Sequence, residues 1–329
     1  MIDLKEVNVI IKKRVIHCVS NGDLPGEKEI FQPLSDAGID VVFNHLQSIQ
    51  DEQAVIDAVV GYEYVIAGAE FWTRKVFEAT RGKLEMLVRH GVGIDNVDID
   101  AAREMGVAVS NTPGANAAAV AEHALAMLLG LIRKVSKYDR DIRTGIWKRE
   151  LSRSLSGKVG LIGFGAVARS FASLLKPFPV EILAYDIAFD EQAALLTGVK
   201  SAPLDAILSQ CNIISMHVPI TQETEKFVND AFIRKMRPDA ILINTSRGSI
   251  VDEPALIAAL QANRIAGAAL DVFEREPIER DNPLLKMDNV IVTPHAANMN
   301  IDALKNVAAQ CVANILDFEN HRRSQFLIT

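Results

Sequence analysis

An arginine, a carboxylate and a histidine stand in three short segments of the last third of this 329-residue chain. The segments are Asn244-Thr245-Ser246-Arg247-Gly248, Asp271-Val272-Phe273-Glu274-Arg275-Glu276-Pro277 and Pro294-His295-Ala296-Ala297. Arg247 offers two parallel donors that fork onto a carboxylate or a carbonyl, which a lysine cannot do. His295 can pass a proton near neutral pH, because an unperturbed imidazole titrates at about 6.5. Glu276, if it touches the ring, orients it and favours its protonated form. Glu274 competes for that role, and the Glu-Pro placement favours Glu276. Read singly, each has a plainer use: a loop-packing histidine, a solvated acid, an arginine in a surface turn. Together they suit hydride transfer to or from a 2-hydroxy acid.

A nucleotide fingerprint stands upstream. The apolar run from Val159 leads into Gly163-Phe164-Gly165-Ala166-Val167-Ala168, and a helix pattern follows. The first glycine permits a tight turn and the second lets a pyrophosphate approach the backbone. The third position needs only a small side chain, so Ala168 is allowed. The free N–H groups where the helix starts, around Ala166 and Val167, would face the phosphates. Such a fingerprint alone is weak. Here a second strand, Val180–Tyr185, ends at Asp186, about 20 residues on, where a ribose-binding carboxylate belongs.

Short β-branched runs alternate with helix-length segments along the whole chain. Strands are expected at Arg14–Val19, Ile39–Phe43, Tyr64–Ala67, Met86–Val88 and Val107–Val109. A second set is expected at Val159–Gly163, Val180–Tyr185, Asn212–His217, Ala240–Asn244, Ala266–Leu270 and Val290–Val292. This alternation predicts an α/β fold of parallel sheets with flanking helices. The first set reads as a flavodoxin-like unit and the second as a Rossmann unit. One long Ala- and Leu-rich helix is expected between them, from Ala117 to about Arg143, with Asn116 as its cap. A last helix is expected from about Met299 to Phe318. Met1–Lys13 is left open between an extra strand and a tail. Ligands of open α/β sheets sit beyond the carboxyl ends of the strands. Arg247, Asp271 and His295 each follow such an end.

The ordered motifs resemble the D-isomer-specific 2-hydroxyacid dehydrogenases, the family of 3-phosphoglycerate dehydrogenase, hydroxypyruvate/glyoxylate reductase and D-lactate dehydrogenase. The resemblance runs roughly from Arg14 to Asp317. It also takes in Arg89-His90-Gly91-Val92-Gly93-Ile94-Asp95-Asn96-Val97-Asp98, Asn111-Thr112-Pro113-Gly114-Ala115-Asn116 and His217-Val218-Pro219. It implies Arg247, Glu276 and His295 as catalytic residues and NAD as cofactor. It implies Asp186 at the adenosine ribose and Asp271 at the nicotinamide amide. His217, Val218, Pro219, Thr224 and Thr245 join the cofactor-binding set with Gly163, Gly165, Ala166 and Val167. Substrate binding falls to Val92 and Gly93, as backbone donors to its carboxylate, with Arg247 and His295. The implied organisation is a discontinuous substrate domain, 1–112 with 299–329, around a Rossmann NAD-binding domain, 113–298, with an interdomain cleft that closes over the substrate. A homodimer through the cofactor domains is implied too, carried by the Ala117 helix and Ile146-Trp147.

Departures narrow the reading. Ala297 stands where many relatives carry glycine, and Asn300 near a usual Thr or Ser. Glu70 is acidic where a phosphate would want a cation, which weakens a phosphoglycerate substrate. Glu276 is not glutamine, which disfavours formate. Two alternatives stay open: 3-phosphoglycerate oxidation, and an NAD-sensing binding protein of the same fold. His90 reads as structural, His217 as lining the cofactor cleft, and Glu122 and His123 as packing or capping groups. Trp147 reads as an interface or core anchor.

Composition excludes several classes. Net charge is −7 with no basic block, so nucleic acid is not an expected partner. No apolar run approaches the roughly 18 residues of a membrane span. The charged start, Met1-Ile2-Asp3-Leu4-Lys5-Glu6, lacks a signal-peptide core. Cys18, Cys211 and Cys311 are sparse and odd in number, so neither a disulfide framework nor a metal site is expected. The expected setting is a reducing cytoplasm. The chain ends soon after its last helix, so no appended regulatory domain is expected.

Overall fold

The computed structural model describes residues 13–18, 24–44, 46, 51–321 and 326–329. The Met1–Lys13 question lies outside the described residues, apart from Lys13. The chain divides into two compact units, Met1–Ala115 with Ile301–Thr329, and Asn116–Asn300.

The first unit is a five-stranded parallel sheet. Its strands are β1 (Arg14–His17), β2 (Asp40–Phe43), β3 (Tyr64–Ala67), β4 (Met86–Arg89) and β5 (Ala108–Ser110), in spatial order β2-β1-β3-β4-β5. That is the flavodoxin-like order. Val19, expected to close β1, is outside the described residues. Every residue of β3 is buried, so both faces need cover. One face packs on Val55, Val76, Phe77 and Ala102. The other packs on Phe31 and Leu34 and on Val307, Cys311 and Ile315 of the Ile301–Glu319 helix.

The second unit is a seven-stranded parallel sheet. Its strands are β6 (Gly157–Ile162), β7 (Val180–Tyr185), β8 (Lys200–Ser201), β9 (Ile213–Met216), β10 (Ile241–Asn244), β11 (Gly267–Leu270) and β12 (Val290–Val292). The order β12-β11-β10-β9-β6-β7-β8 is the Rossmann arrangement with one further strand. Strands β9, β10 and β11 are buried throughout, between two apolar clusters. β8 was not anticipated: its two residues are polar and exposed, which leaves no periodic signal.

The expected single helix from Ala117 to Arg143 is two helices, Ala117–Ile132 and Val135–Arg143. Lys134 between them takes a left-handed conformation at φ 59° and turns the chain. The apolar face ends at Ile132, and polar residues dominate beyond it. Asn116 is not a side-chain cap: its carboxamide makes no capping hydrogen bond.

Candidate active site

Register places the candidate residues together. Tyr185 pairs with Ile162, Ile162 with Met216, Met216 with Asn244, Asn244 with Leu270, and Leu270 with Val292. These six residues lie abreast across the sheet. One step further along each strand stand Asp186, Gly163, His217, Thr245, Asp271 and Thr293. Residues scattered over a hundred positions therefore leave the sheet at one carboxyl edge.

The Arg247 turn is shaped by a buried asparagine. Asn244 Nδ2 donates to the Arg247 carbonyl at 2.9 Å, and Asn244 Oδ1 accepts from the Ser246 amide at 3.1 Å and hydroxyl at 2.9 Å. Gly248 follows for want of space: a Cβ there would lie 1.8 Å from the Phe273 carbonyl oxygen. This close approach brings the Arg247 turn against the segment that carries Glu276. Arg247 Nη1 also donates to the Ser246 carbonyl at 2.8 Å.

Glu276 is held at both oxygens. Oε1 accepts from the Phe273 amide at 3.0 Å and Oε2 lies 2.8 Å from His295 Nδ1. A carboxylate only accepts, so Nδ1 carries the hydrogen and Nε2 is left to exchange the mobile proton. The hydrogen bond to Glu276 raises the His295 pKa, against burial and the nearby Arg247 charge. Burial pushes Glu276 up, but the His295 bond and the Phe273 amide outweigh it and hold the carboxyl below its usual range. Glu274, the rival acid, pairs instead with Lys226 Nζ at 3.2 Å.

His295 has φ 51°, a left-handed backbone that L side chains adopt at a cost of about 1 kcal/mol or more. Its amide donates to the Asp271 carbonyl at 2.7 Å. The Asp271 carboxylate is fully buried and accepts from the Ala296 amide at 2.8 Å, the Ala297 amide at 2.9 Å and the Thr293 hydroxyl at 2.5 Å. Asp271 thus fastens the histidine loop. Thr293 and His123, whose Nε2 is 3.1 Å from the Thr293 hydroxyl, were missed as site residues. Nothing in their local sequence marks them, because the contact joins a helix to a strand end 170 positions away.

The glycine turn fits a dinucleotide. Gly163 has φ 92° and a Cβ there would lie 2.6 Å from the His217 carbonyl oxygen, whereas a Cβ on Gly165 would meet nothing within 4 Å. The backbone is thus open at Gly165, where the Ala166–Leu175 helix begins, and Ala168 is fully buried against the sheet. Asp186 accepts from the Phe164 amide at 2.6 Å and the Ala188 amide at 2.7 Å, which ties it to the glycine turn. His217 Nε2 and Thr245 Oγ1 are buried without a hydrogen-bond partner, as groups awaiting a polar ligand would be. Burial pushes the His217 pKa down to about 4, so its ring is neutral. Thr224 Oγ1 donates to the Pro219 carbonyl at 2.7 Å and shapes the loop after Val218.

A cleft of about 610 Å³ opens at the opposite, amino-terminal ends of β6, β9 and β10, near Arg153, Lys158 and Arg237. Two of these cations already pair with acids, Lys158 with Glu181 and Arg237 with Asp239. It lies away from the candidate chemistry.

In the first unit, Val92 is 40 % exposed and its carbonyl accepts from Asn111 Nδ2 at 2.7 Å. Gly93 follows in the same loop after β4. His90 is buried, and burial with the Arg89 charge pushes its pKa down to about 4, as suits a structural residue. Glu70 overturns the charge argument made from sequence. It is fully buried, and its Oε1 accepts from the Gly68 amide at 3.0 Å and Trp72 Nε1 at 3.3 Å. Turned inward, it presents no exposed charge to a phosphate, and burial raises its pKa.

Residues 125–297 match the family model described as D-isomer specific 2-hydroxyacid dehydrogenase, NAD binding domain. A glyoxylate reductase of Korarchaeum cryptofilum is 38% identical over 252 residues, covering 74% of this chain and 76% of that protein. The chain belongs to the D-isomer-specific 2-hydroxyacid dehydrogenase family. Its cofactor is NAD. A D-3-phosphoglycerate dehydrogenase of Archaeoglobus fulgidus is 36% identical over 297 residues, 88% of this chain, and the chain spans 56% of that protein's length. The structure superposes on the TT0316 protein of Thermus thermophilus with TM-score 0.86 at 28% identity, covering 96% of this chain and 100% of the other. On the apo D-lactate dehydrogenase of Escherichia coli the values are 0.80 and 27%, with 96% and 100% covered.

Proposed function

We propose that this chain is an NAD-dependent oxidoreductase that moves a hydride between nicotinamide and C2 of a small D-2-hydroxy or 2-oxo acid. The Glu276–His295 pair beside Arg247, on the sheet edge that also carries the glycine turn, is the observation behind this reading. Bound NADH supplies the hydride. Arg247 holds the substrate carboxylate or polarises the C2 carbonyl, as a planar fork can. The oxygen gains negative charge as the hydride arrives, and His295 Nε2 donates a proton to it. Glu276 keeps that imidazolium charged and aimed. In oxidation the neutral ring takes the hydroxyl proton. The family motif assigns the Val92 and Gly93 amides to the substrate carboxylate.

Two substrate readings compete. The Korarchaeum relative, a glyoxylate reductase, favours glyoxylate. The Archaeoglobus relative favours 3-phosphoglycerate, and the inward turn of Glu70 removes the objection from charge. A panel of glyoxylate, hydroxypyruvate and pyruvate with NADH, beside 3-phosphoglycerate with NAD, separates them by the nicotinamide absorbance. Turnover of one or more is expected. Turnover of none contradicts the proposal.

The functional unit is proposed to be a homodimer. Val135, Ile142, Ile146, Trp147 and Leu151 are 60, 53, 48, 85 and 96 % exposed on one stretch of chain. That stretch is pinned by Glu150, which receives Lys134, Lys137 and Lys148. Exposed apolar residues grouped on one ordered stretch support that reading. Light scattering at micromolar concentration should give twice the 36.0 kDa chain mass, and a monomer mass overturns it. The three cysteines are free and buried. Among the described residues no helix is long and apolar enough to cross a membrane.

A further inference from the structure

We infer that His123 is a positioning residue for the His295 loop, acting through Thr293 and the buried carboxylate of Asp271. The inference rests on the proposed dehydrogenase reading for its effect on turnover, and on geometry alone for its effect on the loop. The Thr293 hydroxyl has one hydrogen, which goes to Asp271 Oδ1 at 2.5 Å. Its oxygen can then only accept from His123, so Nε2 is the protonated nitrogen across the 3.1 Å contact. His123 Nε2 also lies 3.5 Å from Asp271 Oδ1. That distance brings the ring nitrogen close to the buried carboxylate itself.

The need for such a partner is physical. Asp271 is 0 % exposed, and a buried carboxylate is costly unless it is hydrogen-bonded and paired. Its other bonds go to the Ala296 and Ala297 amides, which directly follow a histidine held at φ 51°. A strained backbone persists only where its surroundings over-determine it. Chains of hydrogen bonds polarise one another, so a donor at His123 strengthens the Thr293 bond that fixes the orientation of the Asp271 carboxylate those amides bind. Without it, the Thr293 hydroxyl has a second outlet, Met127 Sδ at 3.6 Å, a weak acceptor. The helix carrying His123 thereby joins the catalytic loop. A packing residue on that helix would need no donor aimed at Thr293.

The test uses the full chain with NADH bound and compares His123→Leu, His123→Gln, Thr293→Val and the double variant His123→Leu/Thr293→Val. Amide hydrogen exchange at Ala296 and Ala297 reports the loop without requiring activity. Exchange is expected to quicken about tenfold in His123→Leu, the scale of one hydrogen bond. His123→Gln, which keeps a donor near the Nε2 position, should recover most of the protection. Because both residues serve one relay, the double variant should be no worse than Thr293→Val. kcat should fall about tenfold in His123→Leu while NADH affinity, read by fluorescence, holds. Unchanged exchange in His123→Leu, no recovery with Gln, or additive losses in the double variant overturn the inference. If His123→Leu does not fold, Thr293→Val decides, since it cuts the relay without touching the helix. A wild-type protein that turns over no substrate removes the dehydrogenase reading, and the exchange comparison still decides this one.

Discussion

Two turns on one sheet edge reach a left-handed backbone by opposite means. At Gly163, φ is 92° and the His217 carbonyl leaves no room for a side chain. At His295, φ is 51° and a side chain is required, because the imidazole is the proposed acid–base group. The glycine turn solves its geometry by residue type, which suits a backbone that a pyrophosphate must approach. The histidine turn is held from outside by Asp271, Thr293 and the Ala296 and Ala297 amides. A turn that binds through backbone can be specified locally. A turn that aims a side chain must draw its support from elsewhere in the fold.

Substitutions in the two turns should therefore fail differently. His295→Ala should lose at least about 10²-fold in kcat, the usual worth of a general acid–base group, with NADH affinity hardly changed. Gly163→Ala should instead weaken NADH binding, seen by fluorescence titration, because the turn must open to admit the methyl group. If His295→Ala mainly weakens cofactor binding, the division between the turns is wrong.

Arg247→Lys comes next. Its turn, knitted by Asn244, should survive, but a point charge cannot replace a planar fork. We expect kcat/KM for 2-oxo acids to drop by about tenfold or more, through both kcat and KM. Wild-type kinetics would remove Arg247 from the substrate.

The glycine turn also sets the cofactor. Asp186, bonded to the Phe164 amide, would repel a 2′-phosphate, and Ile187 beyond it is 95 % exposed and apolar. Preference for NADH over NADPH should be at least about tenfold, or 1.4 kcal/mol, in kcat/KM. Equal efficiency would refute that role for Asp186.

This contrast explains what could be read from sequence. Gly163, Gly165 and Ala168 announce the cofactor turn because sterics restrict the residue type at each position. The strands were legible from short β-branched runs, and their ends put Arg247, Asp271 and His295 on one edge. Asp271 was expected at the nicotinamide amide, and that its carboxylate also takes up donors of the histidine loop could not be read from sequence. His123 looked like helix packing because its partner Thr293 is distant in sequence. Glu70 looked like an exposed charge, and only its burial shows otherwise. Asn116 has the residue type of a cap without the geometry. The break at Lys134 carries no glycine or proline to announce it. In each case a residue type was visible and its partner was not.

The Glu276–His295 pair is the centre of the account, and pH addresses it most directly. His295 has a raised pKa, so its stabilising contribution is full below the ordinary value of 6.5 and is lost as pH rises through the raised one. Glu276 has a lowered pKa, so its contribution is full above the ordinary 4.5 and is lost as pH falls through the lowered one. Both hold between 4.5 and 6.5, and reduction, which needs the imidazolium, should fade as pH climbs through the raised His295 value. The decisive measurement is the pH profile of kcat for 2-oxo acid reduction in wild type, Glu276→Gln and Glu274→Gln. Glu276→Gln should slow turnover and move the alkaline fall to lower pH, while Glu274→Gln, whose carboxylate pairs with Lys226, should follow wild type. A profile shifted by Glu274→Gln and untouched by Glu276→Gln would contradict the assigned acid–base pair.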